Sequence, residues 1–165
     1  MADRNQIKYL VDELGRFIHR WSWDLFVTLT FKARFPIAMH YLPSQWRRLI
    51  ALLNKEHSTD VTWVRSIEFG AEQGVPHIHA LIGGTDIPPR EISRLWHPRT
   101  GNAQAEIYDP ERRGAWYIAK NPESVAFAVT FDAMASRILD HRCVACHLVS
   151  AISSGADPVF LSQAR

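Results

Sequence analysis

Apolar and polar positions alternate along the chain in patterns that divide it into helices and strands. Apolar residues at a spacing of three and four predict an amphipathic helix from Asn5 to Arg20, whereas strict alternation predicts strands. Helices are predicted over residues 5–20, 43–56, 88–96 and 109–120. Strands are predicted over residues 23–31, 64–69, 75–82 and 103–108. Beyond Pro122 the pattern weakens, and residues 125–139 are predicted to form a further helix.

This order of elements predicts the fold class. The sequence runs helix, strand, helix, hairpin, helix, strand, helix, which is typical of an α+β, ferredoxin-like antiparallel sheet with helices packed on one face. The strand at 23–31 is rich in β-branched and aromatic residues on both of its faces. We therefore expect that strand to lie in the interior of the sheet.

The hairpin over residues 64–82 carries the candidate chemistry. Its connection, residues 71–74, is polar and ends in glycine, as short hairpin loops do. A turn centred on residues 72–73 would place Glu68 opposite His77 and Ser66 opposite His79. Glu68, His77 and His79 would then share one face of the sheet, with apolar side chains behind them.

Two imidazoles and one carboxylate suit a divalent cation with open coordination positions, which is the arrangement of a catalytic site. The competing interpretation is a pair of surface histidines on an edge strand. A slip of one residue in the register would also move Glu68 to the wrong face.

A second pair of candidate residues lies further along the chain. Tyr117 and Lys120 are three residues apart, so on a helix they share a face. A tyrosine with its free pKa near 10 is a poor nucleophile and needs a polarised electrophile. A metal ion could polarise a phosphate, and the Lys120 ammonium could neutralise the charge that develops there.

Three motifs in order resemble those of the HUH endonucleases, and specifically the single-tyrosine rolling-circle replication initiators. They are F-V-T-L-T-F at 26–31, P-H-I-H-A-L at 76–81 and Y-I-A-K at 117–120, all within residues 23–121. The resemblance implies an HUH nicking domain over residues 1–140 and a C-terminal tail of uncertain structure over residues 141–165.

The resemblance also implies a role for each matching residue. His77 and His79 match the paired metal ligands, and Glu68 matches the third ligand, so the implied cofactor is Mg²⁺ or Mn²⁺. Tyr117 matches the nucleophile that attacks single-stranded DNA and becomes a 5′-phosphotyrosine, and Lys120 matches the motif lysine. The strand at 26–31 matches a motif with a scaffolding role. The implied partners are single-stranded DNA at an origin, a host helicase and a polymerase.

Alternatives remain open at this point. Single-domain tyrosine transposases keep the same motif order but commonly carry glutamine near the position of Lys120. A non-catalytic single-strand-binding module with a decayed site is another interpretation. A 2-His-1-carboxylate iron oxygenase would need a barrel of more strands than this chain has and would leave Tyr117 without a role. No P-loop motif is present for a fused helicase.

Composition narrows the setting. The chain has 165 residues, 47% of them hydrophobic and 22% charged, with a net charge of +2, so a nucleic-acid surface must be a local patch. Four arginines beside aromatic residues are the candidates for that patch: Arg90, Arg94, Arg112 and Arg113. The absence of a long apolar run or a signal peptide favours the cytoplasm, with no membrane partner. Cys143 and Cys146 form a lone C-x-x-C that we expect to hold no metal.

Overall fold

The computed structural model describes residues 4–32, 41–70, 74–96 and 100–128. Its helices are α1 (Arg4–His19), α2 (Tyr41–His57), α3 (Pro89–Trp96) and α4 (Gly114–Ala119), with short 3₁₀ turns at Pro110–Arg112 and Pro122–Ser124. Its strands are β1 (Leu25–Phe31), β2 (Thr62–Phe69), β3 (Pro76–Gly83), β4 (Gly101–Ile107) and β5 (Ala126–Ala128). Among the described helices, none has the length and apolar character that a membrane span requires.

The five strands form one sheet in the order β4-β1-β3-β2-β5, and every neighbouring pair is antiparallel. This confirms the predicted α+β class. It also confirms that β1 is an interior strand, because β1 pairs with β4 on one side and with β3 on the other. The hairpin strand β3 lies at the centre of the sheet and not at an edge.

The helices cover both faces of the sheet, so the expectation that they pack on one face is wrong. Helices α2 and α3 pack on the face that carries Val27, Leu29 and Ile78. Helices α1 and α4 pack on the opposite face, against Val64 and Leu81. The physical reason is that the second face is apolar at one end, which must be covered, and polar at the other, where the histidines lie.

The helix predicted over residues 109–120 is interrupted at Arg113. Asp109 caps a 3₁₀ turn by accepting a hydrogen bond from the Glu111 backbone N–H at 2.9 Å. Arg113 then adopts a left-handed conformation with φ of 57°, and α4 begins at Gly114. A Cβ at Gly114 would lie 3.0 Å from side-chain atoms of Phe26 and Tyr108, so a glycine allows the new helix to approach the sheet closely.

Helix α4 is held against α1 by close packing. A Cβ at Gly15 would lie 2.6 Å from the Trp116 ring, so the two helices approach each other where Gly15 has no side chain. The Trp116 indole Nε1 also donates a hydrogen bond to Asp12 Oδ1 at 3.0 Å. These contacts fix α4, and the side chains it carries, relative to the rest of the domain.

The prediction of a helix from residue 125 onward is wrong at its beginning. Residues Ala126–Ala128 form β5, which pairs with β2 at the edge of the sheet. Phe127 packs edge-on against Phe17 of α1, with ring centroids 5.9 Å apart, and this contact favours the extended backbone. The remainder of the predicted helix, Cys143, Cys146 and the predicted tail at 141–165 lie outside the described residues.

Candidate active site

The register of the β2–β3 hairpin is the one predicted. Glu68 pairs with His77 and Ser66 pairs with His79, so all four side chains project from the same face. This is the face that α1 and α4 cover at its apolar end. His79 is almost fully buried, with 6% of its surface exposed, whereas His77 is only partly covered.

Two threonines of β1 hold the histidine rings from the other side. Thr28 pairs with His79 and Thr30 with His77 across the β1–β3 ladder. The Thr28 hydroxyl Oγ1 lies 3.1 Å from Nδ1 of His79, and the Thr30 Oγ1 lies 3.0 Å from Nδ1 of His77. Each imidazole is therefore hydrogen-bonded through Nδ1.

The Glu68 carboxylate joins one histidine to Lys120. Its Oε2 atom lies 3.2 Å from Nε2 of His79 and 2.6 Å from Nζ of Lys120. The same oxygen thus faces an imidazole nitrogen and an ammonium group. The third ligand of the predicted set is engaged by a cation that belongs to the protein itself.

This arrangement shifts the pKa values of all three groups. Burial lowers the pKa of His79 to about 4 although the adjacent Glu68 carboxylate opposes the shift, so the ring is neutral at pH 7. The hydrogen bond from Lys120 holds the pKa of Glu68 below its usual value. Burial lowers the pKa of Lys120, but its hydrogen bonds with Glu68 and Tyr117 outweigh that effect and raise it overall.

Tyr117 lies directly beside this group, on α4. Its ring meets the His79 ring edge to face with centroids 4.7 Å apart, and it also contacts Phe26 at 6.1 Å. The Lys120 Nζ lies 3.7 Å from the centre of the Tyr117 ring, as expected if the two share a helix face. The Tyr117 side of the site is open, because 41% of the residue surface is exposed.

The donor chemistry of this face fits a divalent cation. Glu68 is ionised and His79 is neutral at pH 7, which is the protonation state that metal coordination needs. In the described part of the chain, however, no three His, Cys, Asp or Glu side chains are already gathered around one position. The buried Ser66 Oγ, opposite His79, has no hydrogen-bond partner among the described residues and leaves a polar atom for a water molecule.

The four candidate DNA-binding arginines divide between the two faces. Arg112 bonds Glu106 at 2.8 Å, and Glu106 pairs with Phe26, so this pair borders the histidine face. Arg113 stacks on Trp116, with its guanidinium carbon 4.8 Å from the ring centroid.

Arg90 and Arg94 lie on α3, on the opposite side of the sheet. Arg94 is engaged there by Glu56 and Glu91. The structure thus brings Arg112 and Arg113 to the neighbourhood of the site and places Arg90 and Arg94 away from it.

Three residues near the site escaped the sequence-based interpretation of individual roles. Thr28 and Thr30 were expected to act only as scaffold, yet they contact both histidines. A Cβ at Gly70 would lie 3.1 Å from Nε2 of His77, so this glycine keeps one edge of the ring clear. The signal for the threonines was present: T-x-T and H-x-H have the same spacing of two and fall on interior strands of one sheet.

Comparison with known proteins places the chain in a family. The model of the replication-associated protein ORF2 family matches residues 24–122, which is more than half of the chain. The chain belongs to this family, and its resemblance to rolling-circle replication initiators is confirmed. No curated protein matches the sequence.

One similar solved structure is the N-terminal nuclease domain of non-structural protein 1 from minute virus of mice, described with Zn²⁺ coordination in its active-site pocket. The two chains are 18% identical, and the match covers 73% of this chain and 72% of that chain with a TM-score of 0.29. A superposition this weak supports no conclusion about the present protein.

Proposed function

We propose that this protein is a metal-dependent enzyme that nicks and rejoins single-stranded DNA and thereby initiates rolling-circle replication of a plasmid or phage-like replicon. The observation that carries the proposal is the position of Tyr117. Its ring lies against His79, at 4.7 Å between centroids, while Lys120 reaches from the same helix to both the Tyr117 ring and Glu68. A nucleophile, a cationic group and three metal-ligand side chains share one open end of the sheet.

Tyr117 is proposed as the nucleophile. Its Oη attacks the phosphorus of a phosphodiester, the new Oη–P bond forms and the bond from phosphorus to the 3′ oxygen breaks. The phenolic proton is lost, and the departing 3′ oxygen gains a proton and becomes a free 3′-OH. One phosphodiester is exchanged for another, so the step is close to reversible and the same site can rejoin the ends.

Glu68, His77 and His79 are proposed to hold the metal, Mg²⁺ or Mn²⁺. When bound, a divalent cation in such a site polarises a phosphate oxygen and so makes the phosphorus more electrophilic. Lys120 is proposed to neutralise the charge that develops on the phosphate, since its ammonium group already lies over the Tyr117 ring. Phe26 and His79 pack around Tyr117 and limit the positions its ring can take.

The exposed polar edge of the sheet offers a path for single-stranded DNA. Asn102 and Gln104 of β4 pair with Thr30 and Thr28 and therefore lie on the histidine face, where both are exposed. Arg112 borders the same edge through its contact with Glu106. We propose that the strand crosses β4 with its phosphates towards Arg112 and Arg113, and that a host helicase and a polymerase act on the opened origin.

The test is to incubate the protein with a library of single-stranded oligonucleotides and Mn²⁺ and to isolate DNA attached to protein. Wild-type protein should yield an adduct whose nucleotide sits on Tyr117 by mass spectrometry, and Tyr117→Phe should yield none. Tyr108→Phe is the matched control, because burial raises the pKa of Tyr108 and it lies outside the motif. A free 5′-phosphate without adduct, or an adduct on another tyrosine, would show that the proposal is wrong.

The alternatives make different predictions in the same experiment. A non-catalytic single-strand-binding module would retain DNA but never become linked to it. A transposase would select hairpin-flanked ends from the library. Membership of a replication-associated family favours the initiator over the transposase.

A further inference from the structure

We infer that Thr28 and Thr30 are positioning residues that hold the two histidines by Nδ1 and so present Nε2 of each ring to the cation; the inference rests on the proposed metal site. Both contacts are direct cross-strand contacts between β1 and β3. Each joins a threonine Oγ1 to an Nδ1 atom, at 3.1 Å for His79 and 3.0 Å for His77. An imidazole held by Nδ1 has only Nε2 left to offer a metal.

The two Nε2 atoms are the ones that face the rest of the site. Nε2 of His79 lies 3.2 Å from Oε2 of Glu68. Nε2 of His77 lies beside Gly70, where the absence of a side chain leaves room next to the ring. The two rings are nearly parallel, with 24° between their planes and 6.2 Å between their centroids, as expected for neighbours held by the same kind of contact.

A hydroxyl group suits this task because it both donates and accepts hydrogen bonds. While Glu68 faces Nε2 of His79, the favoured proton position on that ring is Nε2, and the Thr28 hydroxyl then donates to Nδ1. When Nε2 gives up its proton to coordinate a cation, Nδ1 carries the proton and the hydroxyl rotates to accept it. Thr28 therefore supports both proton positions without a movement of the backbone.

The regular spacing gives the pairing its accuracy. T-x-T and H-x-H each place two side chains on one face, and the antiparallel register brings both pairs together at once. Because β1 and β3 are interior strands, the hydroxyls are fixed by ladder hydrogen bonds on both sides of each strand. Hydrogen bonds to the ligands of a metal typically change affinity by about 10- to 100-fold when they are removed.

The test compares Thr30→Val and Thr28→Val, which keep the shape of the side chain, with Thr30→Ser and Thr28→Ser, which keep the hydroxyl. Mn²⁺ affinity is measured by isothermal titration, and ¹⁵N spectra of the histidine rings are recorded in metal-free protein. The valine variants should bind Mn²⁺ about 10- to 100-fold more weakly and shift the ring-nitrogen signals of the histidine they contact. The serine variants should restore both properties.

Thermal unfolding of every variant shows whether the fold is retained. Wild-type Mn²⁺ affinity in folded valine variants would overturn the inference, and so would weak binding that serine fails to restore. Absence of Mn²⁺ binding by wild-type protein would instead contradict the proposed function. The ring-nitrogen spectra would then decide the inference alone: unchanged signals in the valine variants would overturn it, and shifted signals restored by serine would support the positioning role.

Discussion

The Lys120 ammonium lies 2.6 Å from the Glu68 carboxylate, on the oxygen that also faces His79. A side chain proposed to assist the chemistry thus occupies a side chain proposed to bind the metal. A divalent cation has to share Glu68 with Lys120 or displace it. Displacement would leave the ammonium, already over the Tyr117 ring, free to meet a phosphate.

Removal of the Lys120 charge should therefore strengthen metal binding and weaken catalysis. Lys120→Met is expected to raise Mn²⁺ affinity roughly two- to fivefold, since partly exposed ion pairs are worth up to about 1 kcal/mol. Nicking should slow, but the Tyr117 adduct should still form. The matched control is Arg112→Met, which breaks an ion pair with Glu106 away from the metal ligands. Weaker Mn²⁺ binding by Lys120→Met would contradict competition for Glu68.

The carboxylate itself should be essential for metal binding. Glu68→Gln keeps the size of the side chain but removes its charge, and we expect roughly a tenfold or greater loss of Mn²⁺ affinity together with loss of cleavage. Glu106→Gln removes an exposed carboxylate from the same face and should leave affinity unchanged. Equal effects of the two substitutions in titration experiments would indicate a general electrostatic effect and not a ligand.

Gly70 and Gly74 should respond to alanine in opposite ways. A Cβ at Gly70 would lie 3.1 Å from Nε2 of His77, so Gly70→Ala should displace that ring by a few tenths of an ångström and weaken Mn²⁺ binding. Gly74 has φ of +61° with open space around it, so Gly74→Ala should cost about 1 kcal/mol of stability and leave affinity intact. Denaturant unfolding and metal titration of both variants separate the two effects. Gly70→Ala with wild-type affinity would exclude a role for the open edge of His77.

The buried His79 should make stability depend on pH in the absence of metal. Its pKa is about 4 in the folded protein, against about 6.5 in an unfolded chain, so the unfolded state takes up a proton first as the pH falls. The free energy of unfolding should decrease from about pH 6.5 towards about pH 4.5, by at most about 1.4 kcal/mol per pH unit for one group. It should not change through this group at higher pH.

Urea unfolding in EDTA across this range provides the measurement. His79→Gln should flatten the profile, because the replaced side chain does not titrate. His57→Gln, on the exposed part of α2, should retain the slope of the wild type. A profile that keeps its full slope without His79 would place the titrating group elsewhere.

The sequence was sufficient for the register of the site and insufficient for its surroundings. A polar hairpin and strict alternation determine which residues pair, so Glu68 and His77 could be matched without a structure. The threonine contacts were missed because β-branched residues are common in any strand. Their role depends on which strand lies beside β3, and that is a tertiary property.

The break before α4 was missed for a similar reason. The sequence from Asp109 to Lys120 is compatible with one continuous helix. The left-handed conformation of Arg113 follows from the close approach of Gly114 to Phe26, which no local pattern records. The segment after Pro122 likewise became a strand because Phe127 found a partner in Phe17, a residue far earlier in the chain.

The packing of Trp116 against Gly15 and Asp12 has a mechanical meaning under the proposed function. Tyr117 would be bonded to a DNA end while a polymerase and a helicase pull on the strands. That tension would pass from Tyr117 into the six-residue helix α4 and, through the adjacent indole, into the sixteen-residue helix α1. The N-terminal helix, which supplies none of the proposed catalytic groups, would thus be the anchor of the covalent complex.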